Sequence, residues 1–158
     1  MKKSLLFLTL ITIAMAGFAQ VKTFKGTSGY TSDILCTVRD GKVYKKNSSY
    51  TSDILCRISG DRIYRGNSTY NSDVIYTIED GKVYKGTSSY TSDIAFTIRD
   101  SKIYKGTSTY TSDIIANIRN GRVYSGTSSY TSDVEFTMDG DLTFQEFVAA
   151  WWSVKYSY

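Results

Sequence analysis

The chain has 158 residues, enough for one domain with a hydrophobic core, and contains 14 Tyr, no Pro and no His. Lys and Arg outnumber Asp and Glu by 19 to 15, an excess too small to indicate nucleic-acid binding by itself. Because His is the most frequent general base and metal ligand, its absence weighs against an enzyme, and we expect no catalytic residue, metal or cofactor.

Residues 1–19 have the features of a secretory signal peptide. Lys2 and Lys3 form a positive segment, residues 5–15 are apolar, and residues 16–19 supply small side chains for cleavage. We predict cleavage after Ala19 and export to the periplasm, the cell surface or the extracellular medium. The alternative is a retained membrane anchor, but the apolar run is shorter than the ~20 residues that span a bilayer. We expect no other segment to cross a membrane.

A repeat of 20 residues extends from Gly26 to Gln145. Half a unit precedes it, because residues 22–25 align with residues 42–45. The sequence therefore predicts a repeat domain over residues 20–145. Its six units begin at Gly26, Lys46, Gly66, Gly86, Gly106 and Gly126.

Each unit has the alternation of a β-hairpin. In the first unit Ile34, Cys36 and Val38 alternate with more polar residues, Asp40-Gly41 follows as a two-residue turn, and a short second strand covers residues 42–45. The equivalents of the turn include Asp80-Gly81, Asn120-Gly121 and, as a variant, Asp139-Gly140. A longer polar bend leads to the next unit, and we expect the tyrosines of the bends to cover the core.

A unit of 20 residues cannot bury its apolar face alone, so the units must pack against one another. Two arrangements fit an all-β repeat of six hairpin units: a β-solenoid, which identical residues at fixed positions favour, and a meander or closed ring. Residues 142–158 have helical spacing, with Thr143 and Glu146 as a capping box. We predict an amphipathic helix that closes the open end of the stack; a helix that binds a partner is the alternative.

An aspartate recurs in every unit, each preceded by a serine. The simpler interpretation is a structural turn in which each carboxylate accepts hydrogen bonds from backbone N–H groups at the bend. The alternative is a row of Ca²⁺ ions, although one carboxylate per unit makes a poor ligand set. These residues are Asp33, Asp53, Asp73, Asp93, Asp113 and Asp133.

The second strands carry the candidate binding surface. If Val43 points inward, a basic residue and a tyrosine share the outer face in five of the six units, and such a repeated surface suits glycan or another cell-envelope polymer. The alternative is cross-strand packing without a ligand. The candidate ligand-binding residues are Lys42, Tyr44, Arg62, Tyr64, Lys82, Tyr84, Lys102, Tyr104, Arg122 and Tyr124.

Cys36 and Cys56 occupy the same inward position of neighbouring units. In a solenoid their Cα atoms would lie ~4.8 Å apart, within the range of a disulfide, and export permits oxidation. Small apolar side chains in a core are the alternative.

The Tyr-Thr-Ser-Asp-Ile … Asp-Gly-Lys-Val-Tyr-Lys-Gly unit over residues 22–145 resembles repeats of small secreted bacterial proteins, a resemblance that implies repeat architecture and no particular activity. More loosely, its period and aromatic hairpins are similar to choline- and glucan-binding cell-wall repeats, whose Trp signatures these units lack. We expect an exported, non-enzymatic protein that binds glycan or cell-envelope polymer. A structural spacer is the alternative, and a hydrolase would need a partner for Asp33 and its equivalents.

Overall fold

Residues 20–157 are described by a computed structural model in which twelve strands form one closed antiparallel barrel around a helix. Strands follow one another around the barrel in chain order, and the first pairs with the last. They are β1 (Val21–Lys25), β2 (Ile34–Arg39), β3 (Lys42–Lys45), β4 (Ile54–Ser59), β5 (Arg62–Arg65), β6 (Val74–Glu79), β7 (Lys82–Lys85), β8 (Ile94–Arg99), β9 (Lys102–Lys105), β10 (Ile114–Arg119), β11 (Arg122–Ser125) and β12 (Val134–Met138). The helix is α1 (Phe144–Tyr156).

The predicted two-residue turns join the strands of five hairpins. Asp40 and Gly41 have φ values of 52° and 66°, and Asn120 and Gly121 have 50° and 71°. Such positive angles match the twist of the flanking strands and favour Gly, Asn and Asp. Within the first hairpin Val38 pairs with Val43, and the other hairpins repeat this register.

The sixth hairpin is formed by the two ends of the repeat domain. Thr23, Phe24 and Lys25 of β1 pair with Met138, Thr137 and Phe136 of β12, in the register that residues 43–45 have within the first hairpin. The half unit therefore supplies the second strand that the last unit lacks. The expected β-solenoid is wrong: the six hairpin units close into a ring, which leaves no strand edge unpaired.

A β-bulge in each unit divides its apolar residues between two layers. Val43 pairs with Cys56 but Tyr44 pairs with Ile54, so Leu55 is the extra residue of the bulge. Cys56 and Val43 face the lumen of the barrel, whereas Ile54 lies beside Tyr44 on the outer side. The predicted single apolar face of residues 34, 36 and 38 is therefore wrong, because the bulge turns the first of them outward.

The predicted turn at Asp139-Gly140 does not form a hairpin. The backbone N–H of Asp139 donates to the carbonyl of Lys22, and a carboxylate oxygen of Asp139 accepts from the N–H of Lys22 at 2.6 Å. Beyond this pair of bonds the chain leaves the barrel wall and enters α1. The predicted capping box is present, since the side chain of Thr143 accepts from the N–H of Glu146 and the carboxylate of Glu146 accepts from the N–H of Thr143.

The helix lies inside the barrel instead of closing an end of a stack. Residues 147–153 are all buried, and seven consecutive residues cover every face of a helix. They belong to one hydrophobic cluster with lumen-facing residues of the strands, including Phe136, whose ring centroid lies 6.3 Å from that of Trp151. The predicted amphipathic cap is therefore a central helix that fills the lumen.

The two ends of the barrel differ. Five hairpin turns and the start of α1 lie at one end, where Ser101, Gly121 and Phe144 line one cavity. The bends and the end of α1 lie at the other, where the ammonium of Lys155 contacts a carboxylate oxygen of Glu135 at 2.6 Å.

Residues 20–157 contain no helix that is long and apolar enough to cross a membrane. The predicted signal peptide lies outside the described residues.

Candidate functional site

The most regular exposed feature of the described residues is a ring of six bends at one end of the barrel. We call these bends, residues 26–33, 46–53, 66–73, 86–93, 106–113 and 126–133, the bend surface. Each bend joins one hairpin to the next and ends in a short 3-10 turn, such as Thr31–Asp33. The ring form of the barrel places all six bends at the same end.

One serine and one aspartate hold each bend. In the first, the hydroxyl of Ser28 accepts from the N–H of Tyr30 at 3.1 Å and donates to the carboxylate of Asp33 at 2.6 Å. The N–H of Asp33 donates to the carbonyl of Tyr30 at 2.9 Å. The same bonds recur in the other five bends. The aspartates therefore brace the bends, as predicted, but through a serine hydroxyl instead of backbone N–H groups.

The bends present six tyrosines to solvent, and the expectation that these rings cover the core is wrong. Their side chains are 73–76 % exposed. Their backbone angles agree closely, with φ between −83° and −80° and ψ between 139° and 142°. The residues are Tyr30, Tyr50, Tyr70, Tyr90, Tyr110 and Tyr130.

An exposed cation precedes five of the six bends at the end of the second strand of the hairpin. Lys25 and Tyr30 line one depression together with the loop between them. In the sixth position Ser125 replaces the cation. The cations are Lys25, Lys45, Arg65, Lys85 and Lys105. Each of these five bends therefore combines a flat aromatic ring, hydroxyl groups and a positive charge.

The tyrosines of the candidate ligand-binding set lie on the outer side of the barrel, as predicted, but beneath other residues. Tyr44, Tyr84, Tyr104 and Tyr124 are 6–8 % exposed, and Tyr64 is half-buried. The guanidinium of Arg39 lies 4.7 Å from the ring centroid of Tyr44, and that of Arg99 lies 5.0 Å from that of Tyr104. These rings pack against Ile54 and its equivalents and offer little surface to a ligand.

The basic residues of that set are more accessible. Lys82 and Lys102 are exposed, whereas Lys42, Arg62 and Arg122 are half-buried. Arg62 donates a hydrogen bond to the side-chain oxygen of Asn71 at 2.9 Å. Lys102 lines an outer cavity of about 350 Å³ with Arg119 and Thr111. The basic residues of the set are therefore accessible, whereas four of its five tyrosines are buried.

Among residues 20–157, no three or more acidic or Cys side chains come together as metal ligands. Asp33 and its equivalents lie one to a bend around the ring.

Cys36 and Cys56 are both buried and free. They lie on β2 and β4 with β3 between them, so their Cα atoms are separated by about two strand spacings, or ~10 Å, beyond the reach of a disulfide. The sulfur of Cys56 lies 3.5 Å from the hydroxyl of Ser153 in α1, and that of Cys36 lies 3.1 Å from the hydroxyl of Thr23. Both cysteines pack as small core residues.

The sequence holds a signal that identifies the exposed tyrosines. Tyr50 is flanked by Ser48, Ser49, Thr51 and Ser52, and its equivalents have similar neighbours, so no apolar residue nearby can share a buried face with the ring. Tyr44, by contrast, follows Val43 within a strand. Polar flanks on both sides therefore distinguish the two tyrosine series within the sequence alone.

The fold and its bends define a class of protein: a closed ring of six β-hairpins around a central helix, with one exposed tyrosine per unit. The chain belongs to the 6-fold beta flower protein family, whose model matches residues 23–151. Comparisons with curated proteins and with solved structures gave no match.

Proposed function

We propose that this protein is an exported, non-enzymatic binding protein whose bend surface holds a repeating glycan of the cell envelope. The observation that carries the proposal is the set of six tyrosines, each 73–76 % exposed and held in the same backbone conformation. A flat aromatic ring stacks on the apolar face of a sugar, and adjacent hydroxyls and cations bind its polar groups. The proposal therefore assigns glycan binding to Tyr50 and its equivalents, in place of Tyr44 and its equivalents, which were expected from the sequence.

Rigid presentation supports this role. A large exposed ring loses conformational entropy when it binds, and that loss is smaller if the backbone is already fixed. The Ser28–Asp33 hydrogen bond and its equivalents fix each bend before any ligand arrives.

Six similar subsites, five of them with a cation, suit a polymer better than a single sugar. One tyrosine in water gives weak binding, but linked sites raise the overall affinity by about 10²–10⁴ when one ligand engages several of them. A polymer with a regular repeat can contact two or more bends, whereas a monosaccharide contacts one. Cell-envelope glycans have such a repeat.

The test is co-sedimentation with insoluble peptidoglycan sacculi, with chitin as a second glycan. Wild type should sediment with at least one of them, and free monosaccharide should compete weakly. Replacing all six bend tyrosines with Ser should abolish sedimentation, and replacing two should weaken it by about tenfold, because avidity depends on the number of sites.

The matched control replaces Lys82 and Lys102 with Gln. These lysines are exposed in β7 and β9, outside the bends. Their replacement should leave sedimentation unchanged. If wild type binds neither polymer, or the variant without bend tyrosines binds as well as wild type, the proposal is wrong and a structural spacer becomes the better interpretation.

A further inference from the structure

We propose a second site, which shares only Lys85 with the cations beside the bends: a cavity between α1 and the third to fifth units that binds a small aromatic carboxylate. The cavity has a volume of about 470 Å³ and opens at the same end of the barrel as the bends. No bend tyrosine lines it. The residues that line it include Tyr76, Lys85, Ala95, Phe96, Ile115 and Trp151.

A break in the repeat creates the space. Ala95 stands at the bulge position, where the other units have Leu35, Leu55, Ile75, Ile115 and Glu135. Ala removes three carbon atoms relative to Leu, and the neighbouring Ile115 is 38 % exposed, unlike Leu35, Leu55 and Ile75, which are half-buried. An exposed aliphatic side chain beside an unfilled space indicates room for an apolar ligand.

The walls of the cavity are aromatic and fixed. Tyr76 and Phe96 meet edge to face, with their ring centroids 5.6 Å apart. Trp151 is 3 % exposed and stacks on Phe147 at 6.4 Å. A planar ligand can stack or make edge contacts on such walls, and the buried aromatic rings are already ordered in its absence.

The polar groups of the cavity favour an anion. The hydroxyl of Tyr76 has no hydrogen-bond partner among residues 20–157, although the ring is 9 % exposed. Burial, and to a lesser extent the neighbouring Tyr156, raise the pKa of Tyr76 to about 12, so this hydroxyl remains a donor at neutral pH. Within residues 20–157, Lys85 forms no salt bridge. The ammonium of Lys155, by contrast, lies 2.6 Å from a carboxylate oxygen of Glu135.

These groups define one ligand class. Lys85 supplies an unpaired positive charge, the hydroxyl of Tyr76 supplies a donor, and a carboxylate accepts from both. The aromatic body of the ligand would lie on Phe96 and Trp151 above Ala95. A neutral aromatic molecule would gain the stacking but not the charge interaction.

The test measures binding of 2-naphthoate to the full chain by quenching of tryptophan fluorescence. Trp151 lines the cavity and one other tryptophan, Trp152, is present in the sequence. We expect saturable quenching by 2-naphthoate and at least tenfold weaker affinity for 2-naphthalenemethanol. Ala95→Leu should lower the affinity for both compounds at least tenfold, because Leu fills the cavity with the side chain that two other units carry at this position.

Lys85→Gln separates charge from shape. It should weaken 2-naphthoate binding about fivefold or more and leave binding of the neutral alcohol unchanged. The matched controls are Lys45→Gln and Ile75→Leu, which occupy the same repeat positions outside the cavity and should change neither affinity. Absence of saturable quenching, equal affinity for the alcohol, or undiminished affinity in Lys85→Gln would each overturn the proposal. The Lys85 result decides the question if Ala95→Leu does not fold.

Discussion

At the scale of residues, the side chains that face the lumen differ between units, because the single helix inside the barrel has no sixfold symmetry. The inward position after the bulge holds Cys36, Cys56, Tyr76, Phe96, Ala116 and Phe136. The helix packs most closely against β2 and β4, which carry the two small cysteines. Larger rings fill the space on other sides. This position varies because each unit faces a different part of α1, whereas the position of Val43 holds Val or Ile in β3, β5, β7, β9 and β11 and Thr23 in β1.

The buried thiols give a prediction for high pH. Burial is the main cause that raises the pKa of Cys36 to about 11 and of Cys56 to about 12, from a value of 9.0 for an unperturbed thiol. The native state therefore keeps a proton that the unfolded state loses above pH 9, so the free energy of unfolding should fall as the pH rises from 9 through 11. Urea titrations of wild type and of a Cys36→Ala, Cys56→Ala variant should show a steeper decline for wild type.

The same thiols should also be slow to react. A thiol reagent at pH 8 should modify neither in the native protein and both after unfolding without reductant. Modification of neither thiol in the unfolded, non-reduced protein would show that Cys36 and Cys56 are bridged.

Residue chemistry can be read from the sequence only where local pattern decides it. The turns at Asp40-Gly41 and Asn120-Gly121 and the capping box at Thr143 depend on neighbours in the chain, and the sequence predicts them. The ion pair of Glu135 with Lys155 depends on the path of α1. The departure of Glu135 from the aliphatic residues at its position is a signal for it, but its partner cannot be named without the fold.

At the scale of elements, β1 controls the closure of the barrel. Phe24 is 8 % exposed and Thr23 is fully buried, and the hydroxyl of Thr23 accepts from the N–H of Cys36 at 3.1 Å. This strand pairs with β12 on one side and β2 on the other. Without it, both neighbours would become unpaired edges, and the lumen beside α1 would be open to water.

Removal of β1 should therefore be far more damaging than its five residues suggest. A chain that begins at Gly26 should melt at a much lower temperature than one that begins at Gln20, or associate through its exposed strands. Thermal denaturation followed by circular dichroism, with light scattering to detect association, checks this. A monomer that begins at Gly26 and melts within a few degrees of the longer chain would contradict the role of β1.

The existence and order of the strands follow from alternation and turn residues, but the bulge does not. Alternation alone assigns residues 34, 36 and 38 to one face of the strand. Position 35 then lies on the opposite, polar face, where its aliphatic residues are exceptions. One extra residue explains both, because it turns residue 34 outward and brings Leu35 against the core. The exception recurs in five of the six units, but only the strand pairing identifies it as a bulge.

At the scale of the whole molecule, a closed ring and a solenoid respond differently to a change in the number of units. A solenoid loses stability gradually when a unit is removed, since each unit contacts only its neighbours. In a barrel the diameter depends on the number of strands. Ten strands enclose a narrower lumen, and α1 with Trp151 and Trp152 would no longer fit inside it.

Deletion of residues 66–85, one complete unit, should consequently abolish cooperative folding instead of lowering stability by about a sixth. The measurement is thermal and urea denaturation, followed by far-ultraviolet circular dichroism and by tryptophan fluorescence, which reports on burial of α1. A five-unit chain with a sharp transition and buried tryptophans would show that the copy number is not fixed by the helix.

The repeat alone does not distinguish a ring from a solenoid, because both arrangements place equivalent residues of neighbouring units beside one another. The half unit at residues 22–25 distinguishes the two arrangements. A solenoid has no use for a second strand detached from its first, whereas a ring uses it to complete the last hairpin.

The pairing of β1 with β12 also limits the order in which the protein can fold. Synthesis proceeds from the amino terminus, so β1 is made first, yet one of its two partners is not made until more than a hundred residues later. Until β12 is made, one edge of β1 has no partner, the barrel is open, and α1 is not available to fill its lumen. Contacts so distant along the chain form slowly, so we expect the pairing of β1 with β12 to be a late step of folding.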